Sequence, residues 1–167
     1  MTDTTNLSKR EFVFFWGGYL SNWYSSSFID PKTQLQFSNN EQWMMYQKAK
    51  LFGDDEMALK ILAEPNPKKN KKFGRQVKGF NESIWAKNAC EIVIMGCELK
   101  FSQNPTLLSQ LLKTQDKELV EASPYDKIWG IGLSEKLALK IPPEKWPGQN
   151  LLGKCLVKVR SKLRLSA

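Results

Sequence analysis

Three short segments of this chain set polar side chains against aromatic rings. They are Leu20-Ser21-Asn22-Trp23-Tyr24, Asn39-Asn40-Glu41, and the late run from Glu121 to Gly132 that holds Asp126, Trp129 and Gly130. Carboxylates beside Trp and Gly suit a site that stacks a flat ring and lets backbone approach a ligand. The chain has no histidine, which removes Ser-His-Asp and Cys-His nucleophile systems and histidine-ligated zinc. Neither a P-loop nor a G-x-G-x-x-G is present. Any acid–base chemistry therefore falls to Asp, Glu, Lys, Tyr or water, with the carboxylates as natural candidates.

Each candidate also has a plain structural reading. Ser38 and Glu41 have the S-x-x-E spacing of a capping box, so Glu41 either caps a helix or stands as a catalytic carboxylate at its entrance. Asp126 ends Ser-Pro-Tyr-Asp, which is turn chemistry, and Asn22 is suited to an ordinary Asx turn. Lys48 lies two turns from Glu41 on the same helix face, where it either reaches the same site or snorkels from a core-facing helix.

The elements that must hold these residues follow from pattern. Residues 11–24 read as a strand and then a loop punctuated by Gly17-Gly18. Asp30-Pro31 favours a turn before a short strand at 34–37. A helix opened by Ser38 should run to about Phe52 and stop at Gly53, with Glu41, Met45, Lys48 and Phe52 on one face. Further helices are expected at about 54–64, in the basic stretch leading to Gly74-Arg75 (there as a short helix or turn), at 82–101, at 105–113 and at 150–163. In the 82–101 helix, Trp85, Ala89, Ile92, Met95 or Gly96, and Leu99 form an apolar stripe, so Trp85 reads first as core. A short strand is expected at 118–121 and long loops over 123–150. The sum is a helix-rich α+β fold with a small β-sheet, one domain over 11–167 after a flexible N-terminus at 1–10.

Composition narrows the setting. Of 167 residues, 41% are hydrophobic and 25% charged, as in ordinary globular proteins. No apolar run approaches the roughly 20 residues of a membrane-spanning helix, and no signal-peptide order is seen. Three cysteines, with Cys90 and Cys97 two turns apart, read as core thiols in a reducing, cytoplasmic setting. The net charge is +8, concentrated in 68–78 and 154–164, which points to phosphate-bearing partners unless these are only solvated faces. Nothing calls for a metal or an organic cofactor.

Six blocks then occur in one order: LSNWY (20–24), NNEQWMMYQKAKLFGD (39–54), KKFGRQV (71–77), KFSQNPTLLSQLLKT (100–114), LVEASPYDKIWGIGL (119–133) and GQNLLGKCLVKVR (148–160). Together they resemble the NADAR family of YbiA-like proteins over roughly 12–163. The resemblance implies an N-glycosidase that splits a ribose–base bond. Its implied substrates are phosphorylated ribosylamino-pyrimidines of early riboflavin synthesis or, in another branch, ADP-ribose on guanine in nucleic acid; a non-catalytic nucleotide- or nucleic-acid-binding module is the third reading. The implied catalytic positions are Glu41, Trp85 and Asp126, with Asn22, Arg75, Lys100, Trp129 and Asn150 on other motif positions. On this reading Glu41 is catalytic, Asp126 is the second carboxylate, Trp85 or Trp129 stacks on the base, and Arg75 and Lys100 hold phosphate. Lys48 is within reach of the same site, and the Lys-rich run before Phe73 is an outer rim. The chain departs from the family pattern at Gln42, where many members have histidine, at Asn40, where many have a small residue, and at Thr114-Gln115-Asp116, where the pattern is T-G-D.

Overall fold

A computed structural model describes residues 11–166, so the expectation for residues 1–10 lies outside the described residues. The fold is helix-rich α+β. In chain order it has β1 (Phe12–Phe15), β2 (Phe28–Ile29), β3 (Gln36–Phe37), α1 (Asn40–Leu51), α2 (Asp55–Leu62), α3 (Pro67–Gly74) and α4 (Glu82–Ser102). There follow α5 (Pro105–Leu112), β4 (Glu118–Glu121), the short α6 (Glu135–Ala138), a 3-10 turn at Pro143–Lys145, and α7 (Leu151–Ser166). No helix among the described residues is long and apolar enough to cross a membrane.

The chain packs as two compact units, one spanning Asn22–Leu108 and the other joining the segment that ends at Ser21 to the segment from Ser109 onward. In the Asn22–Leu108 unit, Asp30 makes the expected turn: its carboxylate accepts from the Lys32 N–H and the Thr33 hydroxyl. The turn lays β2 antiparallel to β3, with Phe28 opposite Phe37. Both rings are buried against Trp43 of α1, whose indole N–H donates to the Ile92 carbonyl at 2.9 Å. Helix α1 is therefore the centre of this unit, with α2, α3 and α4 all packed on it. Two glycines allow that approach. A Cβ on Gly96 would overlap Asn40 and the Trp43 ring, and one on Gly74 would overlap the Met45 side chain.

The buried face of α4 is Ala89, Val93, Gly96, Cys97, Lys100 and Phe101. Of the two alternatives for the apolar stripe, Met95 or Gly96, the structure takes Gly96, and Met95 is 42% exposed, because the seam follows 89, 93, 96–97 and 100. Trp85, one turn before Ala89, is only half-buried.

In the other unit β1 pairs in parallel with β4, Phe12 opposite Glu118 through Phe15 opposite Glu121. Thus the small sheet expected from sequence is two separate two-stranded ladders. Val120, Ala122, Ile131 and Ala138 are buried here, with Phe12, Phe14, Leu133 and Trp146 packed around them. Helix α7 covers β4 with Leu152, Cys155, Leu156 and Val159. Its buried Arg160 donates to the Thr114 hydroxyl and the Lys117 carbonyl, pinning the turn between α5 and β4. Gln115, where the family pattern has Gly, takes φ 55 in that turn, a left-handed conformation in which glycine carries no Cβ penalty.

Candidate functional site

The first turn of α1 answers the question posed by S-x-x-E. The N-cap is Asn39, not Ser38, and its side chain accepts from the Gln42 N–H at 2.9 Å. The Gln42 side chain accepts from the N–H of Ser38, the residue before the cap, at 2.7 Å, so N-x-x-Q acts as a variant of the box, shifted by one residue from S-x-x-E. The Gln42 amide nitrogen faces the carbonyls of Ile61, Leu62 and Glu64 at 3.0–3.1 Å. One side chain thus serves the orphan N–H end of α1 and the orphan carbonyl end of α2. Asn39 and Gln42 thus supply cap bonds at this entrance.

Glu41 sits at the second helical position, 7% exposed, with its backbone N–H donated to the Asn22 carbonyl at 2.9 Å. The Asn40 amide nitrogen donates to Asn22 Oδ1 at 2.8 Å and contacts Cys97 Sγ at 3.2 Å. The Asn22 loop, the start of α1 and the middle of α4 are therefore held by one buried polar network. Its location gives the helix macrodipole a carboxylate to favour.

Lys48 lies on the same face of α1. Burial pushes its ammonium below the usual lysine range, Glu41 opposes that shift, and Arg75 adds to it. Lys48 therefore feels the charges of both Glu41 and Arg75. Lys48 Nζ stands 4.5 Å from the Phe80 ring centre and 5.4 Å from the Trp85 ring. Arg75, exposed at the C-cap of α3, stands at the outer side of this group. Phe80 was not legible from the sequence as a site residue; its only signal is an aromatic following Gly79.

Lys100 departs from the phosphate-binding arm expected of it. It is 1% exposed, 5.8 Å from the Tyr24 ring centre and 5.0 Å from that of Phe101. Burial lowers its pKa to about 8, and burial raises that of neighbouring Cys97 to about 11. This is the environment of an interior cation, which holds its proton less tightly than a solvated one.

Asp126, Trp129 and Asn150 belong to the other unit. Asp126 Oδ1 accepts from the Ile128 and Trp129 N–H groups at 2.8 and 2.9 Å, so the hydrogen bonds describe the turn-starting reading weighed from SPYD. Trp129 is half-buried, with its N–H held in that turn. Asn150, expected at substrate, commits its amide to β4: Nδ2 donates to the Leu119 carbonyl and Oδ1 accepts from the Glu121 N–H. Among the described residues no three His, Cys, Asp or Glu side chains gather to hold a metal ion.

A carboxylate at a helix entrance, near a lysine that stands over two aromatic rings within a helix-rich α+β frame, agrees with the family pattern in the sequence. The chain belongs to the NADAR domain family, whose model matches residues 14–164. It is 44% identical over 165 residues to N-glycosidase R617 of Acanthamoeba polyphaga mimivirus, covering 92% of this chain and 97% of that protein. It is 29% identical over 147 residues to riboflavin biosynthesis protein VVA0006 of Vibrio vulnificus, spanning 88% of this chain but 36% of that longer one. The NMR structure of the E. coli protein YbiA superposes with a TM-score of 0.76 over 94% of this chain and 87% of that one. Its sequence identity is 21%, so that likeness speaks for the fold alone.

Proposed function

We propose that this chain is an N-glycosidase that hydrolyses the bond between ribose and a nitrogenous base in a phosphorylated ribosyl-base metabolite of the ribosylamino-pyrimidine class. Family membership and the N-glycosidase and riboflavin names of its relatives support this reading. The observation that carries it is the placement of Glu41: Asn39 and Gln42 make cap bonds at this entrance, while the Glu41 carboxylate lies near Lys48, whose ammonium stands over the half-buried Trp85 and the exposed Phe80 rings.

As the bonding pair leaves with the base nitrogen, positive charge builds on the ribose C1′. An ionised Glu41 stabilises that charge and orients water for attack. The new C–O bond forms at C1′, and the water proton ends on the departed base. Trp85 and Phe80 flank the heterocycle, each stacked base being worth roughly 1–3 kcal/mol. Arg75 and Lys48 attract the phosphate, Arg75 through its two-pronged guanidinium. Three cysteines, with no disulfide between them among the described residues, suit a reducing, cytoplasmic setting.

The net charge of +8 favours a second reading, ADP-ribose linked to guanine in a longer polyanion. The test is release of free base from a ribosylamino-pyrimidine phosphate, run beside an ADP-ribosylated oligonucleotide, with wild type and Glu41→Gln. Release from the pyrimidine phosphate by wild type only is the expected result. Normal turnover by Glu41→Gln overturns the catalytic assignment. Release from the oligonucleotide alone moves the substrate to the second reading, and release from neither leaves a binding module.

A further inference from the structure

Two large rings stand at the surface of the unit that contains the parallel strands, outside the residues used above. Trp16 directly follows β1 and Tyr125 lies shortly beyond β4, so both leave the carboxyl ends of a parallel pair, the side on which open α/β sheets receive ligands. Trp16 is 62% exposed and Tyr125 86%, yet their ring centres are 5.7 Å apart with the planes tilted by 50°. Neither ring closes the face of the other. Their backbone supports are firm: the Ala122 N–H donates to the Phe15 carbonyl, Ser123 Oγ accepts from the Tyr125 N–H, and Asp126 locks the next turn. A fixed backbone and two-torsion side chains present aromatic faces at little entropic cost.

We propose that Trp16 and Tyr125 form a stacking platform for the bases of a single-stranded nucleic acid. The openness of the platform selects the polymer. A small metabolite is normally buried over most of its surface in a concave site, whereas strands stack successive bases on exposed rings beside cations. Lys127 is an exposed cation two residues from Tyr125, and over residues 109–167 Lys and Arg outnumber Asp and Glu by eleven to six, so this part of the chain has the charge balance to attract a polyanion.

Fluorescence anisotropy of a labelled oligo-dT dodecamer at low salt tests this on the full chain. Trp16→Ala and Tyr125→Ala should each weaken binding roughly ten-fold. Tyr125→Phe should stay within about two-fold of wild type, and Trp16→Leu, which keeps apolar bulk without the π face, should behave as Trp16→Ala. An abasic strand of equal length should bind wild type no better than the dodecamer binds the Ala variants. Unchanged affinity in both Ala variants, equal binding of abasic and thymidine strands by wild type, or no binding of the dodecamer each overturns the proposal. The measurement reads equilibrium binding without turnover, so its outcome does not depend on which bond the enzyme cuts.

Discussion

Glu41→Gln and Gln42→Ala alter adjacent residues of α1 and are expected to fail in different ways. Glu41→Gln should abolish base release while leaving stability within about 1 kcal/mol, because Asn39 and Gln42 supply cap bonds at this entrance. Gln42→Ala should cost about 2–4 kcal/mol in urea unfolding, since it strips one helix start and leaves carbonyls of Ile61, Leu62 and Glu64 without that donor. That division was only half legible. S-x-x-E and N-x-x-Q overlap in SNNEQ, and the choice depends on carbonyls about twenty residues away, which no local spacing reveals. Asp126→Asn keeps an oxygen for the Ile128 and Trp129 N–H groups, so its thermal midpoint should hold while Asp126→Ala loses about 1–2 kcal/mol. Lys100 gives a pH signature. Its pKa is about 8 in the folded protein against 10.5 for a free lysine. Between those values the unfolded chain binds the proton that the folded chain lacks, so stability should rise with pH there. Below about 8 both states carry the proton and the folded state bears the burial cost. Lys100→Met should remove the rise and raise stability at pH 7 by on the order of 2–3 kcal/mol, measured by urea titration across pH 7–10.

At the scale of elements, α1 is the scaffold and small residues decide who reaches it. Gly96→Ala improves intrinsic helix propensity by roughly 1 kcal/mol, yet its Cβ would meet Asn40 and Trp43. The clash should win, with a net loss of about 2–3 kcal/mol by thermal or urea unfolding. Helices with strong punctuation were legible in the sequence: α1 before Gly53, α4 after Asn81, α5 after Asn104-Pro105. The first ladder was less so. Phe28–Ile29 is a two-residue strand whose existence depends on the Asp30 turn and on burial of Phe28 against Phe37 and Trp43, not on any alternation of its own. The α4 seam also shifted from the expected stripe, because buried Lys100 counts as polar to a periodicity argument while packing inward. For the site, Glu41, Lys48, Arg75 and Trp85 carried a signal in spacing or family pattern. Phe80 and the Asn22–Asn40 contact did not, being products of tertiary approach.

At the scale of the whole molecule, net charge +8 should act on encounter more than on chemistry. For a phosphorylated substrate, kcat/KM should fall several-fold between low and high salt as the field is screened, while kcat changes little. Initial-rate kinetics across ionic strength checks this. The structure also bears on how copies of the chain meet. Asn150, held at φ 52 at the entrance of α7, offers its amide to Leu119 and Glu121 as a neighbouring strand would, and the Ile131 N–H takes the Glu121 carbonyl beside it. With β1 on one side and these groups on the other, β4 presents little template for strand addition, the usual seed of fibrous self-association. A single amide at the head of a helix thereby works as a guard against polymerisation.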